Sequence, residues 1–144
     1  MTKLFEKILI ATDGSEKNRP AVEKGLEIAR ACGAAVYAVY VIDETPLASA
    51  QTEVLTADVY RELKTEGEKA VEGVRQMAGG MRVEALVLSG RPAQVITDFA
   101  ARNGVDLIVV GSQGKSGLER LLLGSVAERI IRMAGCMVLV VKAT

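Results

Sequence analysis

Three glycines and a serine stand at spacings that suit the holding of a phosphate. Gly111-Ser112-Gln113-Gly114 follows an apolar run, and nine residues later comes Gly124-Ser125. Glycine removes the side chain where a backbone turns sharply or lies close to a ligand, and leaves amide hydrogens as an anion cradle. Gly124-Ser125 opens a predicted helix, whose first amides lack intrahelical acceptors and whose dipole attracts negative charge. Ser125-Val126-Ala127-Glu128 also reads as a capping box, the Ser125 hydroxyl accepting from the Glu128 amide. Capping by itself accounts for Ser125 and Glu128, but not for Gly111, Gly114 and Gly124.

Two other phosphate loops are excluded. Gly114-Lys115-Ser116 imitates the end of a Walker A loop, yet that pattern requires glycine where Val109 stands. The dinucleotide fingerprint is missing after the first predicted strand, because Thr12-Asp13-Gly14-Ser15-Glu16-Lys17 holds a single glycine. The chain has no histidine, which removes histidine triads, histidine metal clusters and imidazole proton shuttles. Cys32 and Cys136 form no C-x-x-C pair and read as buried reduced thiols.

The elements that must position this loop alternate along the whole chain. Ile8-Leu9-Ile10-Ala11 predicts a strand ending in the turn cluster Thr12-Asp13-Gly14-Ser15, and Pro20 opens a helix with Val22, Leu26, Ala29 and Cys32 on one face. Gly33 stops it, and Val36 to Ile42 is a strand of β-branched and aromatic residues. Asp43 to about Thr56 is a long connection that could act as a lid. Val59, Leu63, Gly67, Ala70, Val74 and Met77 then mark a helix ended by Gly79-Gly80, and Val83 to Leu88 a third strand. Pro92 starts the next helix, which Asn103-Gly104 closes. Leu107 to Val110 is a fourth strand, Ser125 to Ala134 the last helix, and Met137 to Val141 a fifth strand. Strands apolar on both sides of the pleat, alternating with helices, predict a parallel sheet in a single-domain α/β three-layer sandwich spanning residues 1–144. Right-handed crossovers then collect the strand-to-helix loops at one edge.

Eighteen basic and eighteen acidic residues cancel, and aromatics are 3% of the chain, so nucleic-acid binding is not expected. No apolar run approaches the roughly 20 residues of a membrane span, and no signal-peptide core is visible, so a cytoplasmic protein is expected.

The sequence resembles the ATP-binding branch of the universal stress protein family. The pattern G-x2-G-x9-G-[S/T] is met by Gly111, Gly114, Gly124 and Ser125, and the likeness extends to Lys7 through Ser15, Gly90-Arg91-Pro92, Asp106 through Gly111 and Val138 through Val141. The resemblance implies strand order 3-2-1-4-5, with a crevice between the carboxyl ends of strands one and four. It implies that Asp13 meets the ribose or adenine, that Val41 contacts the adenine, and that Val110 and Gly111 lie near the ribose. Gly114, Gly124, Ser125 and Val126 would bind phosphates, and Ala11, Thr12 and Ser112 complete the nucleotide-binding set. An Asx turn is the structural alternative for Asp13, and ordinary core packing for Val41.

The resemblance thus implies an ATP-binding stress-response regulator, with Mg2+ a candidate on the phosphates and Asp13 the nearest acid. It also implies a homodimer through Met137–Val141, an apolar run that would form an open sheet edge. A slow ATPase and a ligand-free structural dimer are the alternatives, and no catalytic residue is assigned. A phosphoacceptor receiver is dismissed because Leu88-Ser89-Gly90 offers no carboxylate at the end of strand three.

Overall fold

A computed structural model describes residues 3–44, 57–113 and 123–143. The elements, in chain order, are β1 (Lys7–Ala11), a single 3-10 turn (Glu16–Asn18), α1 (Arg19–Cys32), β2 (Ala35–Asp43), α2 (Ala57–Ala78), β3 (Val83–Gly90), α3 (Pro92–Arg102), β4 (Leu107–Gly111), α4 (Ser125–Met133) and β5 (Met137–Val141). The strands form one parallel sheet in the order β3-β2-β1-β4-β5. The expected fold class and strand order are therefore observed.

Alternation along the strands splits the apolar side chains into two cores. Ile8, Ile10, Val36, Ala38, Tyr40, Ile42, Leu107 and Val109 meet buried residues of α1 and α2 on one face. Leu9, Val39, Ile108 and Val110 meet α3 and α4 on the other. All five residues of β4 are buried, which places it with β1 at the centre of the sheet.

Local chemistry sets the ends of the elements. Pro20 lies in the first turn of α1, and Gly33 ends that helix in the left-handed region at φ 65°. Pro92 starts α3 in the same way. At the amino edge of the sheet the Asp106 carboxylate accepts the amides of Glu6 at 2.9 Å and Lys7 at 3.1 Å, fixing the entry of β1 beside β4.

Two expectations change. Cys32 and Cys136 are unbridged but half-buried rather than buried. Burial, reinforced by the Asp106 charge, pushes the Cys136 thiol above its ordinary pKa. The capping box is absent: Gly124 caps α4, the Glu128 amide donates to the Gly124 carbonyl at 3.0 Å, and Ser125 is the first helical residue. Glu128 instead pairs with Arg132 at 2.7 Å. Most of the proposed lid, residues 45–56, lies outside the described residues.

Candidate functional site

Strand β1 ends between two neighbours that part company. Its pairing with β2 runs to Ala11↔Val39, and the Thr12 amide still donates to the Val39 carbonyl at 2.9 Å. Its pairing with β4 ends earlier, at Ile10↔Val109. The parting falls where the strand order reverses, the place at which open α/β sheets form a ligand crevice at their carboxyl edge.

Short polar side chains shape the loop leaving β1. Thr12 is buried, and its Oγ1 accepts the Gly14 amide at 3.2 Å. Gly14 has φ 77°, and a Cβ there would stand 3.2 Å from that of Ala70 on α2, so glycine answers both the backbone and the space. Oδ1 of Asp13 accepts the Ser15 amide at 2.9 Å and the Ser15 hydroxyl at 2.6 Å. The Asx turn considered for Asp13 is thus present, and both bonds fall on a single carboxylate oxygen.

Ala11, Val41 and Val110 stand on three adjacent strands and all side with the core of α3 and α4. Ala11 and Val41 are half-buried and Val110 is buried. Together they make an apolar floor at the carboxyl edge. Val41 packs against the core, which is the structural alternative considered for it.

Gly111 turns to the opposite face. A Cβ on it would meet Asn18 Nδ2 at 3.3 Å and the Ala21 Cβ at 3.9 Å, so its lack of a side chain is accounted for by the protein's own packing. Ser112 is buried and multiply bonded. Its amide donates to the Val141 carbonyl at 2.9 Å, its hydroxyl accepts the Ala143 amide at 3.4 Å, and its carbonyl accepts the Gly124 amide at 2.5 Å.

That last bond joins the exit of β4 to the start of α4 across the nine-residue excursion. It occupies the Gly124 amide, so the amides available at the helix start are those of Ser125, Val126 and Ala127, which have no intrahelical acceptors. Ser125 and Val126 are exposed there. Gly114 lies outside the described residues, as do Lys115 and Arg120.

One residue of the site was missed in the sequence. Asn18 is 5% exposed, and its carboxamide spans the β1 exit: Nδ2 donates to the Ala11 carbonyl at 3.3 Å, and Oδ1 accepts the Asp13 amide at 3.4 Å. A lone asparagine ahead of a helical proline is a weak signal, because its partners become neighbours only in the fold. A cavity of about 160 Å3 lies between this loop and α2, lined by Thr12, Arg19, Lys69 and Met77 among others. Among the described residues no group of three or more Cys, Asp or Glu side chains could hold a metal ion. No helix among them is long and apolar enough to cross a membrane.

The universal stress protein family profile matches residues 4–142. The chain belongs to the universal stress protein family. It is 45% identical over 141 residues to universal stress protein MJ0531 of Methanocaldococcus jannaschii, covering 96% of this chain and 83% of that one. The solved structure of MJ0577, from the same organism, superposes with a TM-score of 0.85 at 31% identity, covering 98% of both chains. The universal stress protein of Archaeoglobus fulgidus, solved in complex with dAMP, shares the fold at 24% identity and a TM-score of 0.67, covering 95% of this chain and 98% of that one.

Proposed function

We propose that this universal stress protein binds ATP at the crevice between β1 and β4 and acts as a nucleotide-dependent regulatory module. The observation that carries the reading is the Ser112–Gly124 bond, which holds the free amides of α4 beside the edge formed by Ala11, Val41 and Val110. An adenine suits the apolar floor, the Asp13 carboxylate suits the ribose hydroxyls or the adenine amino group, and the amides of Ser125, Val126 and Ala127 suit the phosphates. Gly111 and Ser112 act in this reading as packing that fixes the loop, and Thr12 as the brace of the β1 exit. In this reading Gly114 and Gly124 leave room for the phosphates by lacking side chains, and Asp13, the nearest acid, would hold Mg2+ when it accompanies ATP.

Fold neighbours solved with cAMP, dAMP and AMP support an adenine ligand of some phosphorylation state. The regulatory output, in a chain acting as one domain, is proposed to pass through a homodimer built on β5. The test is mass analysis of small molecules released on denaturing the purified protein, followed by calorimetric titration with ATP. An adenine nucleotide released in near-stoichiometric amount, or ATP binding by the emptied protein, is the expected result. No adenine nucleotide and no ATP binding would overturn the reading.

A further inference from the structure

Asn18 occupies a place that the sheet leaves open. The Thr12 amide points at β2, so by the alternation of a strand the carbonyl of Ala11 and the amide of Asp13 point at β4. In a parallel ladder those two groups bond to one residue of the neighbour. Continued by two positions, the Ile10↔Val109 register makes that residue Gly111. The ladder stops short, and the carboxamide of Asn18 takes both bonds, donating to Ala11 at 3.3 Å and accepting from Asp13 at 3.4 Å. The same Nδ2 lies 3.3 Å from where a Gly111 Cβ would stand, so the amide sits between the diverging strands.

We propose that Asn18 is a positioning residue for nucleotide binding: a side-chain stand-in for one residue of β4 that keeps β1 and β4 apart and fixes Asp13 at the crevice. The proposal rests on the nucleotide reading and adds a division of labour to it. Asn18 acts through Asp13 on the adenosine end, while the phosphates depend on α4, whose tether to Ser112 does not involve Asn18. Loss of the carboxamide therefore weakens ATP without weakening a bare polyphosphate. A residue needed only for the general integrity of the fold would weaken both.

The experiment compares the wild-type chain with Asn18→Leu, which keeps the size but no hydrogen bond, and Asn18→Asp, which keeps the acceptor for Asp13 but not the charge-neutral donor to Ala11. ATP affinity is measured by calorimetry, tripolyphosphate affinity by its displacement of ATP, and the melting temperature on each sample. Expected is a loss of about tenfold in ATP affinity for Asn18→Leu, the order of one or two hydrogen bonds, with tripolyphosphate affinity within about twofold of wild type. ATP affinity unchanged in either variant that folds, or an equal loss for ATP and tripolyphosphate, would overturn the role of Asn18. Should Asn18→Leu fail to fold, Asn18→Asp alone decides by the same ratio. Wild-type protein that binds no ATP, or from which tripolyphosphate displaces none, would instead overturn the nucleotide site on which the proposal rests.

Discussion

In the proposed reading Asp13 would join its own loop to the ligand, and its Oδ1 is already engaged by the Ser15 amide and hydroxyl. Asp13→Ala should cost about 1–2 kcal/mol of stability through the lost turn and should also weaken ATP at least tenfold by calorimetry. A loss of stability with unchanged affinity would reduce Asp13 to its Asx turn. Cys136 gives a second test at this scale. With its thiol raised by burial and by Asp106, it should react with alkylating reagents at pH 8 more slowly than a free thiol. The sign also fixes its linkage: the unfolded thiol ionises first, so this group lowers stability as pH climbs past the unfolded pKa. Alkylation at the free-thiol rate would contradict the burial. Of these details, Asp13 was legible because Thr-Asp-Gly-Ser after an apolar run is turn chemistry carried by adjacent residues. Asn18 was not, since its partners Ala11 and Asp13 meet its side chain only when the 3-10 turn folds back over the end of β1.

The two glycines of α2 separate packing from propensity. A Cβ on Gly67 would lie 2.6 Å from Cδ1 of the buried Tyr40 and 3.0 Å from Val87, so the helix can approach the sheet here only without a side chain. Gly67→Ala should destabilise by about 1–3 kcal/mol. Nothing lies within 4 Å of a Cβ on Gly73, so Gly73→Ala should stabilise by about 0.5–1 kcal/mol through helix propensity. Denaturant unfolding of both variants checks the pair, and shifts of the same sign would contradict it. The strands and helices were legible to within a residue or two because each change of hydrophobic period is punctuated by glycine or proline, as at Gly33, Pro92 and Gly104. The capping box misled because Ser-x-x-Glu fits a helix capped by Ser125 as well as one that starts at Ser125 and is capped by Gly124. The extended Gly124 backbone, at φ −71° and ψ 161°, and the Glu128 bond to its carbonyl decide for the second.

At the scale of the whole molecule, a parallel sheet with its strand-to-helix loops at one edge follows from strands alternating with helices, the order β3-β2-β1-β4-β5 was legible only through the family resemblance, and which copy meets which edge does not follow from one chain. Strand β5 is the terminal strand beside β4, its Met137 is 67% exposed, and Val140 belongs to neither core. A homodimer through this edge should appear by light scattering at micromolar concentration, and Val140→Lys should shift it to monomer. A monomeric wild-type chain would refute the dimer. The most direct test of the account is calorimetric titration of ATP into Gly124→Arg beside the wild type. Gly124 has extended dihedrals open to any residue, and the hydrogen bond from its backbone amide to the Ser112 carbonyl uses no side chain, so the fold and melting temperature should be kept while the new side chain fills the proposed phosphate space. The account predicts ATP affinity reduced by about a hundredfold or more, roughly 3 kcal/mol. A folded Gly124→Arg protein that binds ATP as the wild type does would contradict it.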